Sequence, residues 1–472
     1  MQVIHTETPR DQIIAANEAG FNEPTHTIPW ITPSRAMEAE AQRAMIMASM
    51  EPFITQAYKQ TKPHFKELAP GCRICGRGEW SCLFINGKCN CRCFYCPTAQ
   101  DDISVPTTNQ VPFSNAFDYA DYVSRFDFSG VSISGGEPLL TFDRTVEYMG
   151  TVRDELGKGL HIWMYTNGTL LTKERLKILK EVGLNEIRFD ISAVDYDLKK
   201  PQMAADFIPY VTVEIPAIPE DFDRLTRLLP VMSEIGVQHL NLHQLRLTPH
   251  NSANLRKRNY TFLHGESITI MESEMVALGL LQKAAEQDLP LPINYCSYVY
   301  KHRYQQAATR RRNARGIMKG YESVTENGFI RSLSLTGDPE ILGKQADALD
   351  RTDTDSQRWA INTKKDRLHF HETLWPIIDR TDCRLQLTYS EAVLCPFISY
   401  HCAFKEVRLD SGKKIYIEKR PIRLDLPLSD DELPLFEKLV IKQAPEAPPT
   451  MTPSLEEIIR YEFIQPGLQD YF

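Results

Sequence analysis

Residues 89–96 read Cys-Asn-Cys-Arg-Cys-Phe-Tyr-Cys, and three of these thiols, Cys89, Cys93 and Cys96, stand at the spacing C-x3-C-x2-C with Pro97 directly behind them. Three thiolates can hold three irons of a cubane. A four-iron cluster normally takes four cysteines, so a three-cysteine loop leaves one iron open for a ligand that is not protein. That open iron is the expected reaction site. The competing reading is a zinc knuckle or ribbon, whose usual pattern is two C-x2-C pairs separated by a longer stretch.

The residues beyond the loop favour the cluster. A short β-type run at residues 130–134 ends in Gly135-Gly136-Glu137-Pro138, an element for which a zinc ribbon has no use. Glycines suit a place where backbone must approach a ligand closely, because a Cβ would stand in the way. A second strand, residues 161–166, ends in Tyr165-Thr166-Asn167-Gly168, and Thr172 then opens a helical pattern. Another strand begins at Glu186 and closes in Arg188-Phe189-Asp190-Ile191-Ser192. Alternation puts Arg188, Asp190 and Ser192 on one face without saying which face is inner.

Helical stretches at residues 116–125, 145–156, 173–182, 221–235 and 268–286 alternate with further strands at 83–86, 210–215 and 239–245. Such alternation implies right-handed crossovers and a parallel sheet. On the last strand His239, Asn241 and His243 share a face, either lining a substrate cavity, where the two histidines are candidate catalytic groups, or forming a hydrogen-bonded core layer.

The cysteine spacing, the aromatic pair Phe94 and Tyr95, and the Gly-Gly-Glu-Pro element together resemble the radical S-adenosylmethionine (SAM) superfamily. The resemblance implies a [4Fe–4S] cluster on Cys89, Cys93 and Cys96, with SAM bound at the open iron through its amino and carboxylate groups. It further implies one-electron cleavage of the sulfonium to a 5′-deoxyadenosyl radical, which takes a hydrogen atom from a substrate. In such proteins the Gly135 to Pro138 element meets the SAM amino group, and polar residues at later strand ends meet the methionyl carboxylate and ribose. Those roles fall here to Asn167, Arg188, Asp190 and Ser192. Glu214, Pro216 and Ala217 fall where relatives contact adenine. The expected fold is α/β, a partial (β/α)6 barrel with reactive groups at the carboxyl ends of its strands.

Four cysteines of the dense cluster are left over: Cys72, Cys75, Cys82 and Cys91. Cys72 and Cys75 form a C-x2-C knuckle, so a second metal site, of iron, iron–sulfur or zinc, is one expectation. The stretch from Gly71 to Gly76, through residues 83–87 and into Pro97, with Asn294-Tyr295-Cys296-Ser297 further on, is similar to a subgroup related to pyruvate formate-lyase activating enzyme. In that pattern Cys72, Cys75 and Cys296 recur together. Two ligand sets therefore compete, Cys72, Cys75, Cys82 and Cys91, or Cys72, Cys75 and Cys296 with one more. Buried reduced thiols are the bland alternative, and Cys296 alone is a candidate catalytic thiol.

The 472 residues carry a net charge of −8, which argues against a general nucleic-acid binder, and suggest two or three domains. Residues 1–10 show no basic segment followed by an apolar run, and no uncharged apolar stretch reaches membrane-helix length. Eleven cysteines without an export signal point to metal in a reducing cytoplasm. An oxygen-sensitive cluster reduced by a donor such as flavodoxin or ferredoxin would belong there.

The domains expected are a helical arm over 1–70, the barrel over 71–320, a β-rich domain over 321–443, and a Pro-rich link with a last helix over 444–472. The basic run Lys301-His302-Arg303 with Arg310 to Arg312, Arg315 and Lys319 reads as a solvated helix face or as a grip for an acidic group. The activity expected is direct modification of a peptide, cofactor precursor or small metabolite, favoured by the large carboxyl-terminal domain. Its rivals are activation of a glycyl-radical partner protein and, from another class, a non-catalytic zinc or iron–sulfur protein.

Overall fold

In the computed structural model, which describes residues 9–21, 28–352, 357–444 and 451–472, the chain divides into two compact units. The first holds Met1–Thr108, Pro112–Gln305 and the returning tail Pro466–Phe472. The second is built mainly from Gln306–Gln465. The Pro-rich link at residues 445–449 lies outside the described residues, as do residues 1–8 of the amino terminus.

The first unit is a partial barrel. Seven strands, Trp80–Lys88, Gly130–Gly135, His161–Thr166, Glu186–Phe189, Tyr210–Pro216, His239–His243 and Ile293–Cys296, pair in that order and all in parallel. Helices cross between them, from Ala116–Arg125 to Met271–Glu286. Each turns an apolar stripe to the sheet, as with Leu176 and Leu179, or Leu225, Leu229 and Met232, the 3.6-residue pattern of a helix packed on one side. Thr172 caps its helix by accepting a hydrogen bond from the Arg175 amide, satisfying a donor that would otherwise be orphaned.

Two features depart from the sequence reading. The sixth strand is followed by a seventh, Ile293–Cys296, where the sequence shows only a motif. The arm over 1–70 is helical only in part. After the helix Pro33–Met50 it forms two strands, Ile54–Gln56 and Lys62–Phe65, and Lys62–Phe65 lies antiparallel on the seventh strand. Four residues rich in proline and histidine carry no strand signature of their own, and the open sheet edge supplies the pairing.

The second unit is an antiparallel sheet in which Ile330–Gly337, Cys383–Cys395, Lys414–Pro427 and Ala403–Arg408 are successive neighbours. Its β-rich character agrees with the expectation for residues 321–443. The helix Pro339–Thr352, which sends Leu342, Ala346 and Leu349 into that unit's core, is an addition to the expected pattern. Helix Gln306–Arg315, with Arg310 to Arg312, belongs to this unit, so the boundary falls at 305/306 rather than at 320. No helix among the described residues is long and apolar enough to cross a membrane.

Candidate active site

At the carboxyl ends of the barrel strands lies a cavity of about 580 Å³. Cys89, Cys93 and Cys96 line it together with Gly135, Gly136, Glu137, Asn167, Asp190, Glu214, Pro216 and His243. The sequence-distant motifs thus meet in one space, the usual place for chemistry in parallel α/β barrels.

The cysteine loop is held from three sides. The Tyr95 hydroxyl meets the Asp190 carboxylate at 3.0 Å and Ser192 Oγ at 2.6 Å. Asn251 Nδ2 donates to the Tyr95 carbonyl at 3.0 Å, and Thr248 Oγ1 to the Pro97 carbonyl at 2.9 Å. Asn167 Nδ2 donates to Asn90 Oδ1 at 2.8 Å and reaches Cys89 Sγ at 3.8 Å. Asn167, Asp190 and Ser192, expected to meet a cofactor, therefore brace the loop. Ser192 is not part of the cavity lining, whereas Asn167 and Asp190 are.

Glu137 is likewise committed within the chain. Its carboxylate accepts hydrogen bonds from the Leu139 amide at 3.0 Å, Thr166 Oγ1 at 2.8 Å and the Asn167 amide at 2.8 Å, and it is 1% exposed. Burial nevertheless leaves its pKa raised, against those donors. It buckles the second strand's end to the third's. Pro138 is buried at the start of a short helical turn and does not line the cavity.

The two glycines are required for a different reason from the one expected. A Cβ on Gly135 would overlap the Asn86 carbonyl, and one on Gly136 the Lys88 carbonyl, because the Gly136 and Glu137 amides bond to those carbonyls at 2.9 and 2.7 Å. Close approach of the first strand, not of a ligand, excludes a side chain there. Gly136→Ala should therefore displace the loop and lower the turnover of SAM cleavage by about 10²-fold, the cost of an ångström-scale misplacement. Formation of 5′-deoxyadenosine at saturating SAM measures it.

Arg188 is the clearest correction. It does not face the cavity but lies below it, 3% exposed, bonded to Glu186 at 2.7 Å and to Glu214 at 2.7 Å. Asn241 Nδ2 continues the belt to Glu214 at 2.9 Å, and Asn294 Nδ2 donates to Asn241 Oδ1. The face shared by Glu186, Arg188 and Asp190 is inner, and depth along the barrel separates their roles. His239, at the amino-terminal end of its strand and 4% exposed, also lies outside the cavity lining. His243 lines the cavity, with its pKa pushed down to about 3 by burial and by Lys301. Glu214 and Pro216 line it as well, whereas Ala217 is buried and donates its amide to the His243 carbonyl.

The leftover cysteines do not form one ligand set. Cys91 lies in the loop, its amide 3.4 Å from Cys89 Sγ. Cys82 is on the first strand and meets Ser132 and Ser134. Cys72, Cys75 and Cys296 instead surround Lys62, which is 1% exposed, with its ammonium 4.3 Å from the centre of the Tyr300 ring. Burial works against the Lys62 charge, but Cys296, Cys72 and Cys75 outweigh it and its pKa is raised. Asn241 Nδ2 reaches Cys72 Sγ at 3.3 Å, and the Tyr300 hydroxyl lies 3.7 Å from Cys75 Sγ. Among the described residues no three or more His, Cys, Asp or Glu side chains are spaced to hold a single metal ion. Sequence reasoning missed Lys62 because nothing about an isolated lysine signals burial.

A cubane places its thiolates on separate corners, so its ligands need to face one space rather than converge on one point. Cys89, Cys93 and Cys96 do face one space. Burial pushes the Cys93 thiol up to about 12 and raises Cys89 too, so metal must displace the protons, as is general for thiolate ligands. The donor set fits an iron–sulfur cluster with one open corner. Beside it the cavity is lined by the Gly135-Gly136 backbone and by Glu137, Asp190 and Glu214.

Residues 83–207 match the family model described as the Radical SAM superfamily. Over 313 residues the chain is 28% identical to a candidate glycyl-radical enzyme activating enzyme of Methanocaldococcus jannaschii, covering 64% of this chain and 82% of the relative. It is 30% identical to a GTP 3′,8-cyclase of Corynebacterium glutamicum over 114 residues, which is 24% of this chain and 30% of the cyclase. Among solved structures, Streptococcus suis SuiB bound to S-adenosylmethionine aligns over 46% of this chain and 50% of its own, at 14% identity and a TM-score of 0.33. Members of the matched family bind a [4Fe–4S] cluster and SAM, the two cofactors for which the cavity has donors. The chain thus carries a radical SAM domain over residues 83–207, is an enzyme of that class, and is similar over most of its length to a candidate activating enzyme.

Proposed function

We propose that this protein uses SAM to abstract hydrogen from a peptide, cofactor precursor or small metabolite bound in the cavity at the carboxyl ends of the strands. The observation that carries the reading is the meeting of Cys89, Cys93 and Cys96 with Gly135, Gly136 and Glu137 around one space. When bound, the cluster and SAM supply one-electron cleavage of the sulfonium and, through it, hydrogen abstraction. The chain's own residues do the rest. Cys89, Cys93 and Cys96 hold the irons. Asn167 directs a donor at Cys89 Sγ, and Tyr95, through Asp190 and Ser192, fixes the loop's height above the strands. Gly135 and Gly136 line the same space, where the SAM amino group would sit. An electron donor such as flavodoxin or ferredoxin, in a reducing cytoplasm, completes the reading.

A second reading is favoured by the alignment over 82% of a candidate activating enzyme, namely hydrogen abstraction from a glycine of a partner protein. Anaerobic reconstitution, reduction with dithionite and assay for 5′-deoxyadenosine test the common core. Absence of SAM cleavage together with stoichiometric zinc would sink both readings. Cys72→Ala should retain measurable cleavage, since Cys72 lies beneath the cavity with Asn241. A loss as complete as that in Cys93→Ala would contradict that division.

A further inference from the structure

We propose that one wall of this cavity is an anion subsite, in which Arg246 and Lys301, each against Tyr298, receive a carboxylate or phosphate group of the substrate. The inference rests on the reading of the cavity as a SAM site and adds to it the chemical class of the molecule acted upon.

Three observations carry it. Arg246, just after the sixth strand, and Lys301, just after the seventh, both line the cavity, as does Tyr298. Their charged groups lie 5.6 and 4.8 Å from the centre of the Tyr298 ring, so one aromatic side chain positions both cations.

Neither cation has a carboxylate of its own. Arg246 Nε is buried with no hydrogen-bond partner. No salt bridge engages Arg246 or Lys301 among the described residues, whereas Arg188, one layer lower, takes two. Cations withdrawn from water without a partner are costly, and a guanidinium beside an ammonium suits an oxyanion that can take a fork and a point charge together.

The carboxylates that share the cavity are already engaged. Glu137 accepts from Leu139, Thr166 and Asn167. Asp190 is held by Tyr95 and Ser192. Glu214 is held by Arg188 and Asn241. Burial works against the Lys301 charge, but Tyr298, Cys296 and Glu214 outweigh it and its pKa is raised.

The test uses the full chain, reconstituted and loaded with SAM, titrated calorimetrically with pyrophosphate, with glutarate and with neutral glutaramide. One of the two anions should bind and glutaramide should not, and which anion binds separates a phosphate from a carboxylate substrate. Arg246→Gln and Lys301→Met should each weaken that binding by at least about tenfold, as loss of a charge-assisted hydrogen bond does. Arg246→Lys should recover part of it. The loss should exceed any change in SAM affinity by about fivefold or more. The proposal is overturned if the wild-type protein binds and cleaves SAM yet takes neither anion. It is overturned equally if SAM affinity falls as far as anion affinity, since the two cations would then serve the carboxylate of SAM itself. Failure of the wild-type protein to bind or cleave SAM would instead bring down the reading of the cavity, and the subsite with it.

Discussion

Cys93→Ala should abolish reductive SAM cleavage, with a loss larger than that caused by any residue that only braces the loop. Cys93 would be one of three protein ligands, so its removal takes a corner from the cluster rather than altering its surroundings. Asn167→Ala provides the comparison, because Asn167 sends a donor toward Cys89 Sγ at 3.8 Å without being a ligand. Outer-shell partners of metal ligands are worth roughly 10- to 100-fold, and hydrogen bonds to cluster sulfurs also shift the reduction potential. Asn167→Ala should therefore keep its iron, cleave SAM roughly 10- to 100-fold more slowly and show a displaced cluster potential. Cys93→Ala should lose iron along with activity. Iron analysis and electron paramagnetic resonance of the reduced proteins separate the two outcomes, and a Cys93→Ala protein that retained full cleavage would remove this cysteine from the centre.

Arg188→Met should be the most destabilising single change in the barrel. It leaves Glu186 and Glu214 without the cation between them, and their side chains are 0% and 20% exposed. Breaking a buried ion pair from one side costs about 3–5 kcal/mol, read as a lower midpoint for the barrel's thermal transition. The pH dependence carries a sign. Burial alone would raise the Glu186 pKa, but Arg188, with His161 and the Gly71 amide, holds it down at about 2, below its ordinary 4.5. Its contribution is thus complete above pH 4.5 and lost as pH falls toward 2. In Arg188→Met burial dominates and the carboxyl group prefers its proton, so acid should narrow the gap between variant and wild type. Glu186→Gln combined with Arg188→Met should recover part of the loss. A gap that widened in acid would show that Arg188 is not the counter-ion of this belt.

Much of the site was legible without coordinates because its signals are local. The spacing of Cys89, Cys93 and Cys96, the Gly-Gly-Glu-Pro turn and the helix start at Thr172 each lie within a few residues, and periodicity located the strands from residue 83 to residue 245. The remainder was hidden because it depends on pairing and depth. Lys62–Phe65 became a strand by meeting the edge at Ile293–Cys296. Gly136 owes its small size to the Lys88 carbonyl, 48 positions away in a chain whose local sequence names no such neighbour.

By itself the sequence determined which chemistry this protein can hold, since three thiols at that spacing followed by that glycine turn define a donor set. Only the tertiary structure decided which polar side chains reach the chemistry. Alternation along a strand assigns Glu186, Arg188 and Asp190 to one face, yet each step of two residues moves about 6–7 Å along the barrel. Over that distance a side chain passes from the charged belt beneath the cavity to the cysteine loop above it.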